Sequence, residues 1–255
     1  MLYATITCSV RGGVLAAVLA ATLGAPAHAT GFPDGFVHLR EVDRTIAQDI
    51  RYATGNNFTG RRLPGYDAGE CILARAAAEA LKRVQADLAR ENLSLKVYDC
   101  YRPTRAVTAM ARWAADAHAA PDTRRFYPAI RKERLFALGW IAAHSAHSRG
   151  VAVDLTLVPK GSPQPPFDAN AHYGSCAGPA AERAPDNSLD MGTGYDCFDA
   201  RSYTRAARLT KDEQARRAHL VAAMARHGFV NYKREWWHYS FPAADQRRAY
   251  DFPVR

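Results

Sequence analysis

The sequence lacks any apolar run of the roughly 20 residues that a membrane-crossing helix requires. Its longest such stretch, Gly12 to Leu23, is shorter and lies near the amino terminus behind Arg11, the only charged side chain before it. It is followed by Ala27-His28-Ala29, a small-x-small cleavage pattern. Together these predict a secretory leader over residues 1–29, cleaved after Ala29, and a periplasmic mature chain of residues 30–255. Paired C-x-x-C spacing is also missing, which argues against a zinc knuckle. Once Cys8 leaves with the leader, Cys71, Cys100, Cys176 and Cys197 remain. In an oxidising compartment four cysteines read as disulfides, with three connectivities open.

The formal net charge is +9, yet there is no long basic run and no basic stripe interleaved with aromatics. The charges come in short groups such as Arg61-Arg62 and Arg216-Arg217. This excludes a nucleic-acid partner as the first reading and fits a solvated surface in an anionic envelope. There is no internal repeat and no linker long enough to divide the chain, so one domain is expected.

The periodicities present predict a strand over 36–42, a loop over 56–69 and a helix over 71–90. A strand over 95–101 stops at Arg102-Pro103, and Thr104 opens a helix running to about His118. A β-rich run follows over 150–158, then a Pro-, Gly-, Asn- and Asp-rich segment over 159–189. Thr210-Lys211-Asp212-Glu213 matches a capping box for a helix to about His227, and 236–241 reads as a last strand. Strands and helices do not alternate in βαβ fashion. The fold class expected is therefore α+β, with a mainly antiparallel central sheet flanked by helices.

Chemistry concentrates in three islands. In Ser145-Ala146-His147-Ser148-Arg149-Gly150-Val151-Ala152-Val153-Asp154, an imidazole and a carboxylate flank a glycine that permits a tight turn into a strand. Alone, a satisfied surface pair is the better reading of them. In Glu235-Trp236-Trp237-His238-Tyr239, a carboxylate and an imidazole sit inside an aromatic run, which an aromatic core strand would also explain. Asp99-Cys100-Tyr101-Arg102-Pro103 places an arginine at a strand-to-loop transition, over a cleft or in a structural ion pair. Taken together, the islands offer two histidines and a carboxylate, which leave a fourth position open for water, as catalytic zinc sites do.

The pattern S-x-H-x-x-G-x-A-x-D followed by E-W-W-H resembles the zinc D-alanyl-D-alanine dipeptidases of the vancomycin-resistance type. The likeness extends through Tyr52-Ala53-Thr54, Asn57-Phe58-Thr59-Gly60, DCYRPTRA at 99–106, Asp190-Met191-Gly192-Thr193 and Asp251-Phe252-Pro253-Val254. By position it implies one zinc ion per chain in a cleft, on His147, Asp154 and His238, with Glu235 as general base and Arg102 stabilising the transition state. It implies Asp196 at the substrate's ammonium, Tyr66 and Tyr52 as further pocket residues, and Ser145 near the substrate carboxylate. The implied reaction is hydrolysis of the small dipeptide D-Ala-D-Ala by a metal-activated water. Rival readings are a D,D- or L,D-carboxypeptidase acting on stem peptides and a non-catalytic zinc-binding module.

Two departures from the resemblance stand out: about 31 residues separate the Asp154 strand from Asp190-Met191-Gly192, and position 100 is cysteine. Cys71 opens a helix beside the Cys100 strand and Cys176 lies in the segment leading to Cys197, so the bonds expected are Cys71–Cys100 and Cys176–Cys197. The 159–189 segment leaves one site island and returns before Asp196. It is expected to cover the amino side of the cleft.

Overall fold

Leu95, Val97, Leu155 and Leu157 alternate with polar neighbours along two paired strands and are wholly buried, as a sheet with one apolar face requires. In the computed structural model, which describes residues 1–5, 7, 31–118, 123–244 and 248–255, these strands are the centre of a five-stranded sheet. The apolar run and cleavage site of the expected leader lie outside the described residues.

From Gly31 onward the chain forms one unit. It runs through β1 (Phe36–His38), α1 (Leu39–Val42), β2 (Ala47–Gln48), β3 (Ile72–Ala74), α2 (Arg75–Ala89) and β4 (Leu93–Asp99). It continues through α3 (Thr104–Ala115), β5 (Ala152–Pro159), α4 (Lys211–Ala225), β6 (Val230–Asn231) and β7 (His238–Ser240). The sheet order is β2-β4-β5-β7-β6; only the β2–β4 pair is parallel. β1 and β3 form a separate antiparallel pair.

Helix α2 turns Ala77, Leu81, Val84 and Leu88 inward, all fully buried, and packs on β4. Each such leucine or valine contributes about 1.5–3 kcal/mol through burial. Gln85 is also buried on α2, where its amide bonds the Ser94 hydroxyl at 2.9 Å and accepts from the Leu95 N–H at 2.8 Å. Helix α4 begins with the expected capping box, Thr210 and Glu213 bonding reciprocally.

Several boundaries differ from the sequence reading. The helix predicted from Cys71 starts at Arg75, because Ile72–Ala74 is drawn into pairing with β1. The strand predicted over 36–42 ends at His38 and becomes the short α1. Disulfides join Cys71 to Cys100 and Cys176 to Cys197.

The second face of the sheet carries Lys96, Tyr98 and Thr156 and is covered by the 159–189 segment. Lys96, 1% exposed, bonds Gln164, Asp186 and Asn187, while Thr156 bonds Ser188 at 2.6 Å. This corrects the expectation of a cleft cover: the segment is tied to the back of the sheet by a buried lysine.

Candidate active site

Strand register assembles the site. Asp154 on β5 stands opposite His238 on β7, and a β-bulge between Val97 and Asp99 brings Asp99 opposite Asp154 on the other side. His147 arrives on a turn of 3-10 helix, Ala146–Arg149, that ends at Gly150 with φ of 70°. A side chain at that glycine would meet the Phe36 ring at 2.2 Å, so both the backbone angle and the space demand glycine.

Three atoms converge. His147 Nε2 lies 3.1 Å from His238 Nδ1 and 3.2 Å from Asp154 Oδ1, and His238 Nδ1 lies 3.0 Å from that same oxygen. A tetrahedral zinc with bonds of about 2.0–2.1 Å would hold its donor atoms roughly 3.3 Å apart, so this triangle is close to the right size. The chemistry also fits. His147 Nδ1 donates to the Cys100 carbonyl at 2.6 Å, which leaves Nε2 with its lone pair directed at the other two donors. Burial opposes ionisation of Asp154, but the two imidazoles outweigh it and hold its carboxyl well below the usual range. A second oxygen of Asp154 accepts from the Tyr195 hydroxyl at 3.0 Å.

Glu235 lies in the β6–β7 hairpin, with Oε2 3.9 Å from His238 Nδ1. Burial raises its carboxyl to about 7 despite the pull of His238. Arg102 is clamped through Nε and Nη2 on Asp99 Oδ2, at 2.9 and 2.8 Å, and reaches within 3.6 Å of Asp154. Its guanidinium lies over the Tyr52 ring, 4.9 Å from the centroid. Asp196 accepts from the Tyr52 hydroxyl at 2.8 Å. Burial and the Asp154 charge push its carboxyl well above the usual range.

These groups line one cleft of about 240 Å³, to which Tyr52, Arg102, Ser145, Asp196 and Glu235 all contribute with the three converging residues. Met110, Trp140, Ile141 and Phe198 supply apolar wall. Ser145 caps the 3-10 turn, its hydroxyl accepting from the His147 N–H at 3.2 Å. Tyr66 is a correction: it does not line the cleft but stands behind Arg102, donating to Asp99 Oδ1 at 2.6 Å. The sequence reading assigned no role to Asp99 or Tyr195. The signal available for Asp99 was its place three residues before Arg102 in D-C-Y-R. No spacing pointed from Tyr195 to Asp154, which lies 41 residues away.

A family profile described as D-Ala-D-Ala dipeptidase matches residues 33–165 and 182–255. A D-alanyl-D-alanine dipeptidase of Streptomyces coelicolor is 34% identical over 220 residues, covering 86% of this chain and 98% of its own. One from Enterococcus faecium is 32% identical over 222 residues, covering 87% and 98%. One from Escherichia coli is 29% identical over 208 residues, covering 82% and 85%. Among solved structures, the vancomycin-resistance D,D-dipeptidase VanXYg with a D-Ala-D-Ala phosphinate analogue is 16% identical. It covers 82% of this chain and 68% of its own, with a TM-score of 0.27. With more than three quarters of its length matched and a triad able to hold a metal, the chain belongs to the D-Ala-D-Ala dipeptidase family of metallopeptidases.

Proposed function

We propose that this chain is an exported zinc peptidase that cleaves D-alanyl-D-alanine into two D-alanines. The observation that carries the reading is the triangle of His147, Asp154 and His238 with Glu235 beside it in a small cleft. Those three residues would hold the zinc. When bound, the ion polarises the scissile carbonyl and lowers the pKa of water towards about 7.

The chain's own residues do the rest. Glu235 accepts the proton of the attacking water at its carboxylate and returns it to the leaving amine. Arg102, held at a fixed angle by Asp99, donates to the oxygen on which negative charge develops. Asp196 pairs with the substrate's ammonium, whose charge favours the ionised carboxylate that burial alone disfavours. Ser145 borders the same cleft and is assigned to the substrate carboxylate. The leader-like pattern expected over residues 1–29 and the two disulfides support export to an oxidising compartment.

The test compares release of D-alanine from D-Ala-D-Ala and from an N-acylated stem peptide by the zinc-loaded protein. Turnover of the free dipeptide alone is expected. Preference for the acylated peptide would make it a carboxypeptidase, and binding without turnover of either would make it a zinc-holding module.

A further inference from the structure

A cavity larger than the catalytic cleft lies elsewhere in the described residues. It measures about 750 Å³ and lies between the 159–189 segment and the covered face of the sheet. Tyr195 and Trp236 line it, so it borders the residue that bonds Asp154 and the residue that follows Glu235. Residues 166–181, which the family profile leaves unmatched, supply much of its outer wall, including Tyr173, Gly174 and Cys176. The compartment is thus built in part by a segment that lies outside the family match. It is held in shape by the Cys176–Cys197 bond and by backbone bonds from Cys176 N to the Arg125 carbonyl and from Gly194 N to the Cys176 carbonyl.

The charges around it do not cancel evenly. Arg51 is neutralised by Asp49 and Asp186, the latter also serving Lys96, and Asp190 is paired with Arg183. Glu182 is exposed to solvent at the segment's 3-10 turn. Among the described residues the Arg125 guanidinium has no carboxylate partner; it makes a long 3.3 Å contact to Asn56 Oδ1. Around it are the rings of Phe126, Phe167 and Tyr173, with centroids 4.6, 5.5 and 5.7 Å from the guanidinium carbon. Burial and the neighbouring Arg51 hold Arg125 below the usual arginine range, the state of a cation short of a counter-ion.

We propose that this cavity is a second ligand site, taking a small amino-acid or peptide derivative whose free carboxylate sits on the Arg125 guanidinium and whose body lies against the aromatic wall of Tyr98, Tyr173 and Trp236. The size falls within the range of small-molecule sites. A guanidinium fork matches a carboxylate in geometry as well as charge. A multiply charged phosphate is disfavoured relative to a single carboxylate, because Glu182 lines the same cavity along with the paired Asp186 and Asp190. The site stands independently of the dipeptidase reading, since no catalytic residue takes part.

The test is an amide-shift titration of the full-length, ¹⁵N-labelled, zinc-loaded protein with N-acetyl-D-alanine, inorganic phosphate and D-alaninamide in parallel. N-acetyl-D-alanine should shift the amides of Gly174, Cys176 and Gly194 saturably, and the other two probes should not. Arg125→Gln should weaken that binding about tenfold, the loss of roughly one charge-assisted contact, while leaving dipeptide turnover unchanged. Should Arg125→Gln fail to fold, Tyr173→Ala is titrated instead and should also weaken binding. Shifts confined to the catalytic cleft, shifts as large with phosphate or D-alaninamide, or an affinity untouched by the substitution would each overturn the proposal.

Discussion

The Tyr195 hydroxyl donates to Asp154 Oδ2 at 3.0 Å, which turns Oδ1 of the same carboxylate towards both imidazoles. Tyr195 is in turn stacked on Tyr98, with centroids 4.5 Å apart, and set edge-on to Trp237 at 5.6 Å. Outer partners of this kind typically govern metal affinity by 10–100-fold. Tyr195→Phe keeps the ring packing and removes only the hydroxyl. It should weaken zinc binding by roughly tenfold in a chelator competition. Unchanged affinity would show that the carboxylate is oriented without it.

His238→Ala removes one corner of the donor triangle. Zinc content after dialysis should fall well below one ion per chain, while far-UV circular dichroism stays that of the parent. Full metal retention would refute the ligand assignment.

Glu235→Gln should keep zinc and lose about 10²–10⁴-fold in kcat. The pH dependence follows from the role proposed for it. As a base it works only when deprotonated, so activity is lost as pH falls through its pKa. That pKa is about 7 without metal, raised chiefly by burial. A divalent cation close by favours the carboxylate, so the acid limb of kcat/KM for the zinc enzyme should fall below 7. An acid limb above 7, or activity of Glu235→Gln within tenfold of the parent, would assign the proton transfer elsewhere.

Asp186 anchors the 159–189 segment to Arg51 and Lys96. Burial works against its ionisation, but the two cations prevail and its carboxyl lies below the usual range. A folded pKa that is depressed gives stability present above the unfolded value and lost as pH falls through the folded one. Asp186→Asn should therefore cost about 3 kcal/mol at neutral pH, by leaving Asp49 to serve both buried cations, and flatten the acid side of the stability curve. Urea melts from pH 7 down to pH 3 measure both effects; parallel curves for parent and variant would contradict the linkage.

Cys176–Cys197 closes a loop with a sequence separation of 21. Replacing both cysteines with serine should destabilise the fold by about 2–4 kcal/mol, read from denaturant melts. The Cys71–Cys100 pair has a second duty, because the Cys100 carbonyl receives the His147 Nδ1 proton. Its double-serine variant should lose zinc affinity as well as stability, whereas the Cys176–Cys197 variant should lose mainly stability.

Much of the site was legible because its chemistry is local in sequence. His147 and Asp154 share one island, Glu235 and His238 another, and only the β5–β7 register was needed to join them. The elements missed were those with too little length to show a period: β2 and β6 have two residues each. Ile72–Ala74 carries the helical pattern of its neighbours, and only pairing with β1 makes it a strand. Composition marked 159–189 as irregular but could not say which face it covers. That is decided by Lys96, a residue type normally found on the surface, which is buried here with three polar partners. Tyr66 was placed in the right neighbourhood but one layer too far forward, since sequence spacing does not separate a wall residue from its support.

The bulge in β4 makes the site a matter of counting. From Leu93 to Val97 each residue pairs regularly with β5, and then Tyr98 is passed over so that Asp99 meets Asp154. Because strand side chains alternate in direction, one extra residue changes which of them share a side. Tyr98 bonds Asp186 under the covering segment, while Asp99, the very next residue, holds Arg102 and Tyr66. Without the bulge, an uninterrupted ladder of the same length would set Tyr98 opposite Asp154 and return position 99 to the alternation that buries Leu95 and Val97 against α2. The arginine would lose its clamp and an aliphatic interface would gain an unpaired acid. Length between Val97 and Arg102 is therefore as strict a requirement as residue identity, and a chimera that joins another β4 to this scaffold must preserve that parity.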